Sequence, residues 1–380
     1  MTAPRLEFRL DRIGHNARAL VDRLELVGIT VCGVTKATLG SPEVARVLLD
    51  AGVTSLGESR VENVERLRRA GITAQITLIR SPMLSQVDRI VASTDMSCNS
   101  ELEVVERLSE SARRQRMPHG VVLMVELGDL REGIMPDDLL EVAGRVLALP
   151  AVVLRGIGTN LACQSGVIPD ATNMAELTAL AVSVESAFGV GLDIVSGGNS
   201  ANLPWVLDPG TDTGRVNHLR LGEAVLLGRE PVRRTVIEGL HPDAVSVVGE
   251  VIESGRKPSR PRGERGQAAF GQMDHPDGDP GDDIDGDPDG SHRVIVALGR
   301  QDLDTHGLVA PDGYVVLGAS SDHLVLRCEG RAPRVGTELR FGVDYGALMG
   351  AATSPFVTRR YVPVGSAPLP VAGAGGPLDR

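Results

Sequence analysis

Along the first 230 residues the chain alternates between two kinds of segment. Short apolar runs end in polar or glycine-containing stretches at Val31–Thr35, Ser55–Gly57, Ile76–Ile79, Asp95–Ser97, Val121–Val125, Val153–Gly158, Leu192–Val195 and His218–Leu221. The stretches between them, such as Ser41–Ala51, Glu101–Arg116 and Pro169–Phe188, carry apolar residues at helical spacing. Ahead of the series, Leu6–Leu10 reads as a strand, and Asp11 is the expected cap of a helix reaching about Leu26. Eight strands alternating with helices over about 200 residues predict a (β/α)8 TIM barrel, with a doubly wound open sheet as the alternative.

From Pro231 the texture changes. Val245–Val251, Arg293–Gly299, Tyr314–Gly318 and Leu324–Arg327 alternate or are β-branched, with turns such as Pro311-Asp312-Gly313 between them. The expected organisation is a barrel over 1–230, a smaller all-β C-terminal domain over 231–364 that the N-terminal strand is free to join, and a disordered tail over 365–380. Within the β domain, Gln272–Ser291 is dominated by Asp, Gly and Pro, and it reads as a disordered acidic insertion in a hairpin. Its Asp285–Gly290 run starts like a calcium loop, but Val296 stands where the closing glutamate belongs, so no metal site is expected.

Composition narrows the partners. A length of 380 residues suits two domains, and 42% hydrophobic with 2% aromatic residues means that aliphatic side chains do the packing. The net charge of −11 argues against a nucleic-acid backbone as ligand. Four scattered cysteines (Cys32, Cys98, Cys163, Cys328) form no CxxC pair and read as reduced thiols of a cytoplasmic protein. No run is long enough for a membrane span, and Met1–Leu10 lacks a signal-peptide core.

One residue stands out against this background. Of 39 basic residues only two are lysines, Lys36 and Lys257. Lys257 lies in the loop-like run Ser254–Pro258, whereas Lys36 ends the apolar run Ile29–Thr35. Arginine keeps its proton and cannot form an imine; a desolvated lysine can, and that chemistry serves carbonyl substrates and pyridoxal phosphate. A lysine that merely snorkels from a strand end is the plainer alternative. In a barrel, chemistry gathers at the C-terminal strand ends. Read in order, these offer Lys36, Arg131, Asn160, Asn199-Ser200 and Arg220-Leu221-Gly222-Glu223. The small-residue loop Ser196–Ser200 and Gly222, after the seventh and eighth strands, suit a phosphate held by backbone N–H groups.

The sequence resembles the pyridoxal-phosphate enzymes of the alanine racemase fold, and within them the alanine/ornithine racemase family. The resemblance runs from about Arg5 to Tyr361 and is carried by Val34–Ala37, Ser59–Asn63, Leu127–Gly133, Gly198–Ser200, Arg220–Glu223, Gly299–Asp302 and Gly318–His323. It implies an amino-acid racemase that binds pyridoxal 5'-phosphate, working as a homodimer with its active sites at the interface. Lys36 would hold the cofactor as an imine and move the substrate's α-proton on one face. Ser200, with the backbone of Gly222 and Glu223, would hold the phosphate, Arg220 would face the pyridine nitrogen, and Arg131 would lie near the phenolic oxygen. Asn160 and Asn199 complete the implied cofactor set, Asn160 standing where related racemases often carry a histidine.

Two departures from the family pattern bear on substrate and mechanism. Arg300 aligns with the β-domain tyrosine that acts as second base in alanine racemases, and Leu39-Gly40 replaces a tyrosine that binds phosphate. The second base is then sought among Asp302, Asp304, His306, Asp322, His323 and Tyr345, with His323 beside Asp322 preferred. Arg300, Asp302 and Ser321 are the expected substrate contacts, and ornithine or another cationic amino acid is the expected substrate. Aldol cleavage or decarboxylation on the same scaffold, and a non-catalytic cofactor carrier, remain as alternatives.

Overall fold

The computed structural model describes residues 3–258, 264, 266, 267, 270 and 291–363. Of the expected acidic insertion only Ser291 falls among them, and the expected disordered tail lies outside them. The chain begins in β1 (Arg5–Arg9), whose strand partners come from the far end of the sequence. The helix after it starts at Leu10, so Asp11 does not cap it but sits in its first turn, where it pairs with Arg9 at 2.9 Å.

Eight parallel strands then close on themselves: β2 (Thr30–Val34), β3 (Ser55–Glu58), β4 (Ile76–Leu78), β5 (Met96–Asn99), β6 (His119–Met124), β7 (Val152–Gly158), β8 (Ile194–Gly198) and β9 (His218–Leu221). The expected barrel is therefore present, and the open-sheet alternative is excluded by the β9–β2 ladder, which sets Cys32 opposite Arg220. β3, β4, β5, β6 and β9 are buried throughout, while β7 leaves Val153 exposed near its start. The surrounding helices start and stop where local chemistry dictates. Ser41 accepts the Val44 N–H ahead of Pro42–Asp50, and Asp170 with Asn173 forms a capping box for Ala171–Phe188, which ends at the left-handed Gly189. One core cluster, Val61, Leu78, Val87, Ile90, Val91, Leu108 and Ala112, locks strand to helices with aliphatic contacts alone.

The barrel unit comprises Arg12–Pro242. Residues 231–242, assigned above to the β domain, belong with the barrel instead. The Ile237 N–H donates to Gly228, and the buried Asn16 side chain bonds the carbonyls of Val225 and His241.

The second unit joins Met1–Asp11 to the described residues from Asp243 onward. Its strands are β10 (Val245–Lys257), β11 (Ser291–Ala297), β12 (Leu308–Val309), β13 (Tyr314–Ala319), β14 (His323–Cys328), β15 (Glu338–Val343) and β16 (Thr358–Val362). They follow the order β12-β15-β10-β11-β14-β13, and β1 pairs with both β10 and β16. The ladder between β10 and β11 shifts register at Val251/Glu253, and β10 continues beyond that irregularity. Lys257 therefore ends a strand rather than lying in a loop, exposed and paired with Glu253 at 2.5 Å. A fully buried Glu7 is matched by Arg5, Arg340 and Arg360 at 2.6, 2.7 and 3.3 Å, the partnering that a buried carboxylate demands. One helix, Tyr345–Thr353, accompanies the sheet and was not expected from the sequence; Asp344 caps it, and small residues line its buried face. Among the described residues no helix is long and apolar enough to cross a membrane.

Barrel closure leaves no room at one backbone crossing. A Cβ on Gly156 of β7 would lie 1.8 Å from the Ile194 carbonyl oxygen of β8, whereas at Gly191 nothing lies within 4 Å. Gly156→Ala should lower the unfolding free energy by about 1–3 kcal/mol or more, as overpacking does, and Gly191→Ala should leave it nearly unchanged. Urea unfolding of the two variants beside the parent checks this; equal midpoints would contradict the crossing described here.

Candidate active site

The candidate residues of the barrel follow the ends of β2, β6, β7, β8 and β9. After Val34, Thr35 turns the chain into a single 3-10 turn, Lys36–Thr38, closed by the left-handed Leu39 and Gly40. Lys36 therefore projects from a tight turn rather than from the strand itself. Burial lowers the proton affinity of its amine; Cys163 opposes the shift, the guanidinium charges of Arg131 and Arg220 deepen it, and Glu58 opposes it more weakly.

Arg220 is buried on β9, and its hydrogen-bond acceptors are all neutral. It donates to the Ser196 hydroxyl, to the Thr159 carbonyl at 2.8 Å and to Asn160 Oδ1 at 3.3 Å. Because Ser196 accepts from Arg220, its own proton is available to His218 Nδ1, 2.9 Å away. Burial, with Arg220 beside it, pushes the His218 imidazole down to about 3, so it is neutral and able to accept. Asn160 also receives Asn199 Nδ2 at 3.2 Å, while its own buried Nδ2 has no partner.

Ser196–Gly198, expected as a loop, completes β8 instead; the turn begins at Asn199, which caps Ser200–Asn202 through the Ala201 N–H. Ser200 Oγ accepts the Ala224 N–H at 3.2 Å, tying the end of β8 to the end of β9. Gly222 packs on Val34, to whose Cβ an added Cβ would come within 3.1 Å. Glu223 pairs with Arg234 at 2.8 Å. Arg131 lies in the loop after β6, whose backbone N–H groups converge on Glu126, and its guanidinium pairs with Glu132.

The β-unit candidates form a separate group. Arg300 donates to the Ala319 carbonyl and stacks over Phe270, 4.8 Å from the ring centroid. Asp302 is buried and accepts the Gly299 N–H at 2.8 Å, and burial raises its carboxyl above the usual range. Asp322 and His323, neighbours in sequence, are bonded to different partners. Asp322 accepts Ser321 Oγ at 2.6 Å and Gln301 Nε2 at 3.0 Å, while exposed His323 opens β14 with its N–H donated to Ser320. His306 pairs with Asp304 at 3.2 Å. Among the described residues no cluster of three or more His, Cys, Asp or Glu could hold a metal ion.

Sequence reasoning gave no role of their own to Glu58, Thr35, Asn63 and His218, and placed Ser196 only in the phosphate loop. The signal for Glu58 was available, since a carboxylate closing the short run Ser55-Leu56-Gly57 is the same kind of strand-end residue as Lys36. The barrel residues fit an anionic aldehyde cofactor. A buried guanidinium without a carboxylate partner, an orphaned amide N–H₂ on Asn160, and an amine of lowered proton affinity are what such a group requires.

Residues 8–230 match the family described as alanine racemase, N-terminal domain. A lysine racemase of Thermotoga maritima is 38% identical over 96% of this chain and 99% of its own length. An ornithine racemase of Acetoanaerobium sticklandii is 32% identical over 94% and 99%. Among solved structures, an alanine racemase from Streptomyces lavendulae superposes with a TM-score of 0.74 at 18% identity, covering 96% of this chain and 98% of that one. A D-threonine aldolase from Filomicrobium marinum gives 0.71 at 16% identity over 92% and 88%, so the fold by itself does not choose the reaction. With the family matched across more than half the chain and two racemases matched nearly end to end, the chain belongs to the alanine racemase family and is a pyridoxal-phosphate-dependent amino-acid racemase.

Proposed function

We propose that the substrate is a dibasic amino acid, ornithine or lysine, and that Lys36 is both the cofactor lysine and the base on one face of the substrate's α-carbon. The observation that carries the second half is the Lys36 amine itself, held at a barrel strand end where burial and two arginines favour its neutral form. The substrate class rests on the two relatives matched along their whole length, whose names are lysine racemase and ornithine racemase. Alanine racemases such as that of Sorangium cellulosum match only 43% of the chain.

Bound, pyridoxal phosphate supplies a carbonyl that takes up amines and a ring that acidifies the α-C–H. Ser200, with the backbone at Gly222 and Glu223, would hold its phosphate; Arg220, Asn160, Asn199 and Arg131 would hold its polar edge. Arg220 stays charged in its neutral cage and opposes protonation of any base beside it. That restrains how much charge the site stabilises, which suits a proton removed and promptly returned. Lys36 serves one face only, so a second group must serve the other.

We assign that group to the β unit of a second copy of the chain, making the enzyme a homodimer. His323 is the residue chosen, because it is exposed and an imidazole can both donate and accept a proton. Asp322, Asp302, Arg300 and Ser321 line the same loops and would meet the substrate. A cytoplasmic setting fits free thiols and a soluble amino-acid substrate.

Incubation in D₂O with a panel of L-amino acids should give α-deuterium and loss of chirality with ornithine and lysine, at least ~100-fold faster than with alanine, because an unmatched charge-binding site rejects the shorter substrate. Equal rates across the panel would sink the dibasic reading. His323→Ala should abolish racemisation while bound-cofactor absorbance persists, and α-proton exchange should survive for the enantiomer that Lys36 handles. Racemisation at the parental rate would exclude His323.

A further inference from the structure

The turn that carries Lys36 is anchored to a carboxylate that no ion pair neutralises. Glu58, the last residue of β3, has no exposed surface. Its Oε1 accepts Thr35 Oγ1 at 2.7 Å, and its Oε2 accepts the Ser59 N–H at 3.0 Å and Asn63 Nδ2 at 3.1 Å, with the Arg60 N–H also bonded to the carboxylate. Each of these donors is neutral. The other end of the turn rests on the same corner. Arg66 donates to the Leu39 carbonyl and, at 3.3 Å, to Asn63 Oδ1. Gly40 sits so close to Asn63 that an added Cβ would lie 2.8 Å from both its Cβ and its carbonyl oxygen. Thr35 and Gly40, which bracket Lys36, are thus both seated on the Glu58–Asn63 corner.

Holding a turn in place does not require a charge, and burying a carboxylate without a cation is costly. The charged and titratable groups that act on Lys36 are Cys163, Arg131, Arg220 and Glu58. Both arginines drive the proton off the amine; Cys163 opposes them, and Glu58 is the carboxylate that adds, more weakly, to that opposition. An amine that must take up a proton as well as release one needs such a counterweight.

We propose that Glu58 is a positioning residue for Lys36: through Thr35 it sets the turn that aims the amine, and its buried charge keeps that amine able to accept a proton. This rests on the reading of Lys36 as the cofactor lysine. Burial pushes the Glu58 carboxyl up, and its hydrogen bonds from Thr35, Asn63, Ser59 and Arg60 pull it down, leaving it above the usual range. Its hold on Lys36 is therefore present above that raised value and fades as pH falls through it.

Because the chain holds only two lysines, the test reads Lys36 directly. In full-length, cofactor-free protein labelled with 13Cε-lysine, two side-chain signals titrate, and Lys257 serves as internal control. In Glu58→Gln the Lys36 midpoint should move to lower pH while that of Lys257 stays. In Thr35→Val the charge remains, so the midpoint should move less than in Glu58→Gln, yet holoenzyme kcat should fall as the turn loosens. An unmoved Lys36 midpoint in folded Glu58→Gln overturns the electrostatic role, and parental kcat in Thr35→Val overturns the positioning role. Should Glu58→Gln fail to fold, the parent protein carries the test: its Lys36 signal should show a second, acid inflection as Glu58 takes up a proton, and a single inflection overturns the proposal. If borohydride fixes no cofactor to Lys36, the racemase reading of that residue fails. If it does and the titration ignores Glu58, only this inference fails.

Discussion

A half-buried amine just past a strand end of a closed barrel is the constraint around which the candidate site is arranged. Desolvation favours the neutral form of Lys36, which is the nucleophilic form, and the guanidinium groups of Arg131 and Arg220 act in the same direction. Such an arrangement needs rigid support, because a flexible lysine would reach back into solvent and recover its ordinary proton affinity. The support is a short turn tied to β3 through Thr35 and Glu58, and a neighbouring strand end where Ser200 meets the Ala224 N–H. The parallel barrel matters here because it sets eight strand ends around one opening.

Arginine use follows the same logic. A chain that employs arginine nearly everywhere places it where a fixed charge is wanted, as around the buried Glu7 and in the neutral cage of Arg220. Lysine, which can give up its proton, is kept at the half-buried turn after β2 and at one exposed strand end. The alternatives of aldol cleavage and decarboxylation share this barrel, as the superposition on a D-threonine aldolase illustrates. What separates them is the end-to-end match to two racemases.

Much of the barrel was legible because most of its strands are buried throughout and appear as apolar runs. Where a strand ended in glycine the reading slipped: Gly197-Gly198 looks like loop, yet β8 continues through it because the backbone there is pressed against Val216 and Asn202. The partners of adjacent residues are not legible either: Asp322 bonds Ser321 and Gln301 while His323 starts a strand beside it. The bonds of Glu58, Ser196 and His218 escaped notice because their partners come from other strands or turns, which no local pattern reports. Lys36 was found early only because its rarity in the composition drew attention to it.

The most direct test of the central claim is chemical. Borohydride reduction of the holoprotein, followed by digestion and peptide mass mapping, should place one phosphopyridoxyl group on Lys36 and none on Lys257. Label on Lys257, or protein that binds the cofactor without fixing it to either lysine, would contradict the account.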